Sequence, residues 1–196
     1  MMRRAIRTAL IGITVLFGWI SCTASLDMSG ERLTPPGPQW GLVIGSVLVQ
    51  PAPSSSGNAK GRDDSYEFEI VHIQPADPDG ENPYADRYRL DAKAGEERIF
   101  ISRLRSGRYL VKTFHQTGVV GLGGELEVTF DSMAGEVRYI GRLRVDIPQR
   151  LSRGKGYRFA VENARDTTLA QVSKQHGEVT KTVVDTPMLA RVREAP

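Results

Sequence analysis

The sequence predicts an all-β chain: a single, mostly antiparallel β-sandwich with a short C-terminal helix. Three observations predict it. From residue 40 onward apolar residues alternate with polar ones at period two, the spacing of strands with one face buried. The alternating runs are short and bounded by Gly, Pro, Asn, Asp and Ser, as in sandwiches and barrels. Helical spacing is confined to DTTLAQVSKQHG at residues 166–177.

Each element follows from its own run. WGLVIGSVLVQ (40–50) is a strongly apolar strand, and YEFEIVHI (66–73) sets Tyr66, Phe68 and Ile70 on one face. YRL (88–90) is a shorter strand. RIFISRL (98–104) puts Phe100 and Leu104 on one face, Ile99 and Ile101 on the other. RYLVKTFHQ (108–116) mixes Tyr109, Val111 and Thr113 with Leu110, Lys112 and Phe114. ELEVTFD (125–131) alternates most cleanly, with Leu126, Val128 and Phe130 inward and the acids and Thr129 outward. EVRYIGRLRVDI (136–147) places Val137, Tyr139, Leu143 and Val145 on one face, and YRFAVENA (157–164) does so with Tyr157, Phe159 and Val161. Asp166 is placed to cap the helix and Gly177 to end it.

The N-terminus follows a different grammar. MMRRAIR carries Arg3, Arg4 and Arg7 and no acid; Thr8 to Ile20 is an apolar run; Ser21 and Cys22 close it. A basic start, an apolar stretch of about 7–15 residues and a small-residue end describe a secretory signal. The run is shorter than the roughly 20 apolar residues of a bilayer span. Cys22 is the sole cysteine of the chain, so it has no internal disulfide partner.

LFGWISC ends on Ile20-Ser21-Cys22, which resembles the lipobox of bacterial lipoproteins, with Trp19 where that family prefers Leu. The resemblance implies lipidation at Cys22: a diacylglyceryl group on the thiol, cleavage just before it, and acylation of the new amine. The rival is ordinary cleavage after Ala24, which leaves a soluble protein. Thr23 stands where Asp often retains such lipoproteins in the inner membrane. The resemblance therefore implies the outer membrane, facing the periplasm.

The chain then divides into a signal at 1–21, a lipidated tether at 22–38 and a sandwich domain at 39–196. The tether is proline-rich and mostly polar, and residues 23–37 extend at most about 50 Å. The whole chain has 26 basic and 23 acidic groups; residues 1–22 hold three arginines and no acid, so the remainder carries 23 of each. The basic pI belongs to the signal, and net charge gives no reason to expect nucleic acid.

LRSGRYLV (104–111), of form Leu-x-x-Gly-x-Tyr-x-Val, is similar to the strand–turn–strand core of transthyretin-like and carboxypeptidase-regulatory-like domains. WGLVIGSVLV resembles their opening strand, and AGEVRYIGRLRV (134–145) a late strand of small bacterial lipoproteins of that shape. The likeness implies a prealbumin-like or Ig-like sandwich and leaves function open.

Candidate chemistry is sparse. DPDGENPYAD (77–86) offers Asp77, Asp79, Glu81 and Asp86 as oxygen ligands for calcium, but its Gly falls fourth, not sixth, and no Glu is twelfth. It reads as a long turn. GVVGLGG (118–124) precedes a strand, not the helix that a phosphate cradle needs, and reads as a hairpin connection. His72, His115 and His176 lie far apart, although neighbouring strands would bring the first two together. No catalytic residue, metal site or cofactor is expected. PAPSSSGNAKGRDDS (51–65) is long for a hairpin loop and reads as a solvated excursion, with binding the sharper alternative.

Charge is segregated along the chain. Residues 62–97 hold eleven acids and four bases; residues 98–158 hold five acids and twelve bases. Arg138, Arg142 and Arg144 share one strand face by parity, a candidate face for an anionic partner such as lipid headgroups or a cell-wall polymer. The plainer expectation is that acidic and basic strands pair across the sheet. The function expected is a non-catalytic binding or adaptor module in the envelope, held to the bilayer through acylated Cys22, with an envelope protein or an anionic cell-wall ligand as partner. A structural lipoprotein, for envelope integrity or docking of a larger assembly, is the first alternative; a hydrolase is the second.

Overall fold

The computed structural model describes residues 24–27, 33–52, 64–73, 84–119, 122–148 and 156–191. It begins with β1 (Ala24–Ser25), inside the span read as a tether. The eight expected runs follow as β2 (Trp40–Pro51), β3 (Ser65–Ile73), β4 (Tyr84–Lys93), β5 (Glu97–Arg105), β6 (Gly107–Gln116), β7 (Gly123–Ser132), β8 (Val137–Ile147) and β9 (Arg158–Glu162). The helix forms as α1 (Arg165–His176). One turn of 3₁₀ helix at Val179–Thr182 leads to β10 (Val183–Asp185) and β11 (Leu189–Ala190). The fold is the expected all-β sandwich.

Among the described residues one sheet has the order β1-β4-β3-β6-β7-β11, and the other β10-β8-β2-β5 with β9 also on β8. Most neighbours are antiparallel; β1–β4, β10–β8 and β2–β8 are parallel. The sheets bury Val43, Val47, Phe68, Tyr109, Phe114 and Phe130 between them, each at most 5% exposed. Burying a side chain of this size stabilises the fold by about 1.5–3 kcal/mol. A second cluster lies on the outer face of the smaller sheet. There Leu42, Ile44, Ile101, Val137 and Tyr139 are covered by Leu169 and Val172 of α1 and by Val179. This explains why β2 is apolar on both faces. It also bears out the split in β5, where Phe100 and Leu104 face the sandwich core and Ile101, with Ile99 packed beside it, faces the helix side.

The helix starts differently from its expected cap. Ala164 is the N-cap and makes no side-chain cap bond, while Asp166 sits in the first turn, where its charge favours the helix dipole. Gly177 does follow the last helical residue.

Bulges alter the strict alternation of two strands. In β8 the register to β2 shifts between Ile44 and Ser46, at Gly141, whose φ of +93° suits glycine. Before the bulge Val137 and Tyr139 face the helix; after it Leu143 and Val145 face the other sheet. The expected single apolar face is therefore two faces, which lets consecutive Tyr139 and Ile140 both be buried, one on each side. In β6 the register shifts between Val111 and Thr113, so that Tyr109, Val111 and Phe114 all point into the core.

Strand directions define the two ends of the sandwich. The starts of β2, β4, β6 and β8 and the ends of β3, β5 and β7 gather at one end, here the Trp40 end. The opposite, Pro51 end holds the Ala94–Glu96 turn, whose Gly95 N–H donates to Val49 O at 2.7 Å.

Candidate functional site

Cys22, the expected lipid attachment point, lies outside the described residues, but the chain two residues beyond it is fixed in the fold. Ala24 and Ser25 align with Tyr88 and Arg89 of β4. Leu26 N–H donates to Arg89 O at 2.8 Å, and its carbonyl accepts from Ser102 Oγ of β5. Asp27 pairs with Arg98, also of β5. β4 and β5 are neighbours across the open flank of the sandwich, one in each sheet. Leu26 fills that flank and is 2% exposed, within the inter-sheet core. Part of the span read as a free tether is thus an integral strand. The reason is local: Leu26 has an apolar slot to fill, and the edge carbonyl of Arg89 has a donor to accept.

The Trp40 end of the same flank carries an amphipathic group that local patterns do not disclose. Trp40 pairs with Arg105 across β2 and β5, and the guanidinium lies over the indole at 5.6 Å from its centroid. Gly135 N–H donates to Trp40 O at 2.9 Å, which brings the β7–β8 turn and Met133 beside it. Gly41 makes the approach possible, since a Cβ there would meet Met133 O at 2.5 Å. Met133 is 44% exposed. These residues come from three separate parts of the chain, so only the fold unites them.

Behind this group lies an aromatic stack. Tyr109 is sandwiched between His72, with centroids 4.7 Å apart, and Phe130, at 5.4 Å. Its hydroxyl donates to Arg105 O at 2.9 Å. Burial, then the neighbouring Tyr88 and Asp86, push its phenol well above the ordinary range. His72 is buried, its Nδ1 makes no hydrogen bond, and Asp86 Oδ2 is 3.8 Å away. Gly107 presses on the imidazole so closely that a Cβ there would lie 2.3 Å from Nε2.

The three arginines do not form one basic face. The bulge at Gly141 separates them: Arg138 pairs with Val43, on the side facing the other sheet, whereas Arg142 and Arg144 pair with Ser46 and Leu48 on the outer side. Each is engaged by carboxylate. Arg138 Nε donates to Glu136 at 2.8 Å. Arg142 forks onto both oxygens of Glu97, at 2.9 and 2.7 Å, and reaches Glu162 at 3.4 Å. Arg144 bonds Asp146 at 2.8 Å and Glu162 at 3.3 Å. Ser46 Oγ donates to the same Glu97 at 2.7 Å. Glu97 and Glu162 reach across from the strands flanking β2 and β8, whereas Glu136 and Asp146 are each two residues from their arginine in the chain.

The remaining candidates stay apart. His72 is opposite Tyr109 and His115 opposite Glu67, so the β3–β6 register holds the two histidines at opposite ends of the pair. His176 ends α1. Asp77, Asp79 and Glu81 lie outside the described residues, as does the middle of the 51–65 loop. Among the described residues no group of three or more His, Cys, Asp or Glu is placed to hold a metal ion. The 118–124 run leads from β6 into β7, its Gly123 and Gly124 already paired antiparallel with His115 and Phe114, as expected of a hairpin connection.

No family model matches the chain, and no curated protein matches it. Among solved structures it is similar to the crystal structure of the T6SS lipoprotein TssJ1 from Pseudomonas aeruginosa, at 13% identity and a TM-score of 0.32, over 66% of this chain and 99% of that one.

Proposed function

We propose that this chain is a lipid-anchored, non-catalytic binding or adaptor module of the bacterial envelope, attached through Cys22 to the outer membrane and facing the periplasm. The observation that carries the reading is the joining of anchor motif and fold. The basic start, the apolar run and Ser21-Cys22 are followed, after one residue, by a strand built into the sandwich. An acyl group on Cys22 then holds a rigid domain at the membrane surface, where it presents loops and sheet edges to a partner. A binding role fits the placement of the polar side chains: Arg142, Glu97 and Glu162 are spent on one another, and His72 is enclosed by Tyr109 and Gly107.

Metabolic labelling with palmitate tests the anchor. Label is expected in the native protein and absent from Cys22→Ser; label persisting in Cys22→Ser, or a mature N-terminus at Ser25, overturns the reading. Crosslinking in intact cells tests the adaptor role, with one stoichiometric envelope protein as the expected product.

A further inference from the structure

We propose that the Trp40 end of the sandwich rests on the bilayer that anchors it, with the Trp40 indole, the Arg105 guanidinium and the Met133 side chain seated in the phospholipid headgroup layer. The inference rests on the lipid-anchored reading of Cys22.

Chain direction is the first argument. β1 runs parallel to β4, and β4 starts at the Trp40 end and runs away from it. The N-terminal end of β1 therefore points toward the Trp40 end. Cys22 is two residues before Ala24, and two extended residues reach about 7 Å at most. The acylated sulfur has to lie at the boundary between headgroups and acyl chains, so Ala24 is held within that distance of it.

The second argument is the lack of slack. A polar 17-residue tether would let the domain float free of the surface, but this one is fastened at its start. The backbone of Leu26 is bonded to both β4 and β5, its side chain is in the core, and Asp27 is paired with Arg98. Gaining distance from the membrane means withdrawing Leu26 from the core and opening the flank.

The third argument is what this end presents. Tryptophan is enriched at membrane interfaces because its ring is apolar and its N–H is polar. Trp40 is partly exposed, and Arg105 is exposed and stacked over it. Among the described residues at this end, Arg108 is held by Asp131 at 2.9 Å and Arg138 by Glu136, while Arg103 donates to Thr34. Arg105 lies on an indole instead, with its planar fork suited to a lipid phosphate. Met133, in the turn whose Gly135 N–H bonds Trp40 O, adds a flexible, exposed apolar side chain at this end. Trp40 and Arg105 thus put an aromatic ring and a cation together at the end toward which the start of β1 points, with Met133 exposed in the turn bonded to Trp40.

The mature chain supplies its own probe. Of the two tryptophans, Trp19 is removed with the signal and Trp40 remains. The mature protein, purified from membranes, is reconstituted into vesicles of phosphatidylcholine and phosphatidylglycerol, with and without bromine on the upper acyl chain. Trp40 emission is expected to shift to shorter wavelength on reconstitution and to lose most of its intensity to the brominated lipid. A double variant, Trp40→Phe with Gln50→Trp, moves the probe to an exposed position at the Pro51 end and is expected to show neither effect. The N-terminal mass of the same sample reads acylation directly. An acylated, vesicle-bound protein whose Trp40 is unquenched, or whose two probes are quenched equally, overturns the orientation and leaves the anchor standing. A mature chain without acyl groups overturns both.

Discussion

Tyr109 shows at the residue scale how one side chain joins local sequence to the whole core. The Leu-x-x-Gly-x-Tyr-x-Val run puts Leu104, Tyr109 and Val111 at 1%, 0% and 5% exposure, and Gly107 opens β6. The aromatic was legible as a core residue from its strand position. Its partners were not, because His72 and Phe130 come from β3 and β7 and meet it only through register. The stack has a consequence for pH. Burial is the main cause that raises the phenol, with Tyr88 and Asp86 adding to it. The folded state therefore favours the neutral form. In the unfolded chain the phenol ionises near its ordinary pKa of about 10. The stabilisation is fully present below that value and is lost as pH rises from there through the higher folded value. Tyr109→Phe is expected to cost about 1 kcal/mol at neutral pH, for the lost bond to Arg105 O. Its stability should then decline less steeply in alkali than that of the native protein, as measured by urea unfolding at a series of pH values. Equal alkaline slopes would mean that Tyr109 ionises as freely folded as unfolded.

At the element scale the strands divide into those that announce themselves and those that do not. β7 was readable in full: Leu126, Val128 and Phe130 alternate, and all three are buried. β1, β10 and β11 have two or three residues each, too few for any periodicity to register. The bulge in β8 was also hidden. A glycine inside a strand is a hint of one, but parity counted straight through Gly141 placed Arg138 on the wrong side. What looked like a candidate binding face is therefore one inward arginine and two outward ones, each matched to an acid. The tether hid β1 for a similar reason, since Leu26 stands among mostly polar residues that carry no pattern. Its burial nevertheless makes a strong claim. Leu26→Ala is expected to destabilise the domain by about 2–5 kcal/mol, the range for a buried leucine. Removing residues 1–33 should cost at least as much, because the bonds to Arg89 and Ser102 are lost as well. Chemical denaturation of the two variants checks this. A chain beginning at Thr34 that matches the native stability would show β1 to be an ornament on the sandwich and not part of it.

At the scale of the whole molecule, fold class was legible because alternation with turn residues permits few other outcomes, whereas topology depended on pairings far apart in the chain. The central pair of the smaller sheet, β2 and β8, is parallel, and between its strands the chain crosses to the other sheet and back twice. No short motif encodes such a pairing. It also sets the distribution of stability. β2 is bonded on one side to β5 and on the other to β8, and its two faces pack into the two apolar clusters. Its amides have no partial opening that frees them without breaking both cores. β1 and β11 are two-residue edge strands, each fastened to a single neighbour strand. Native-state hydrogen exchange should separate the two classes. Amides of Val43 to Val49 and of Leu143 to Val145 are expected to exchange only by global unfolding. Those of Leu26 and Arg191, which bond Arg89 O and Glu127 O, should exchange sooner through local opening of the edges. Leu26 is the informative case, because its side chain is in the core while its backbone is at an edge. If its amide is as slow as those of β2, the flank opens only when the domain unfolds, and pull on the proposed Cys22 anchor would be transmitted to the entire sandwich. If it is much faster, β1 detaches alone and the domain has a hinge at its N-terminal edge.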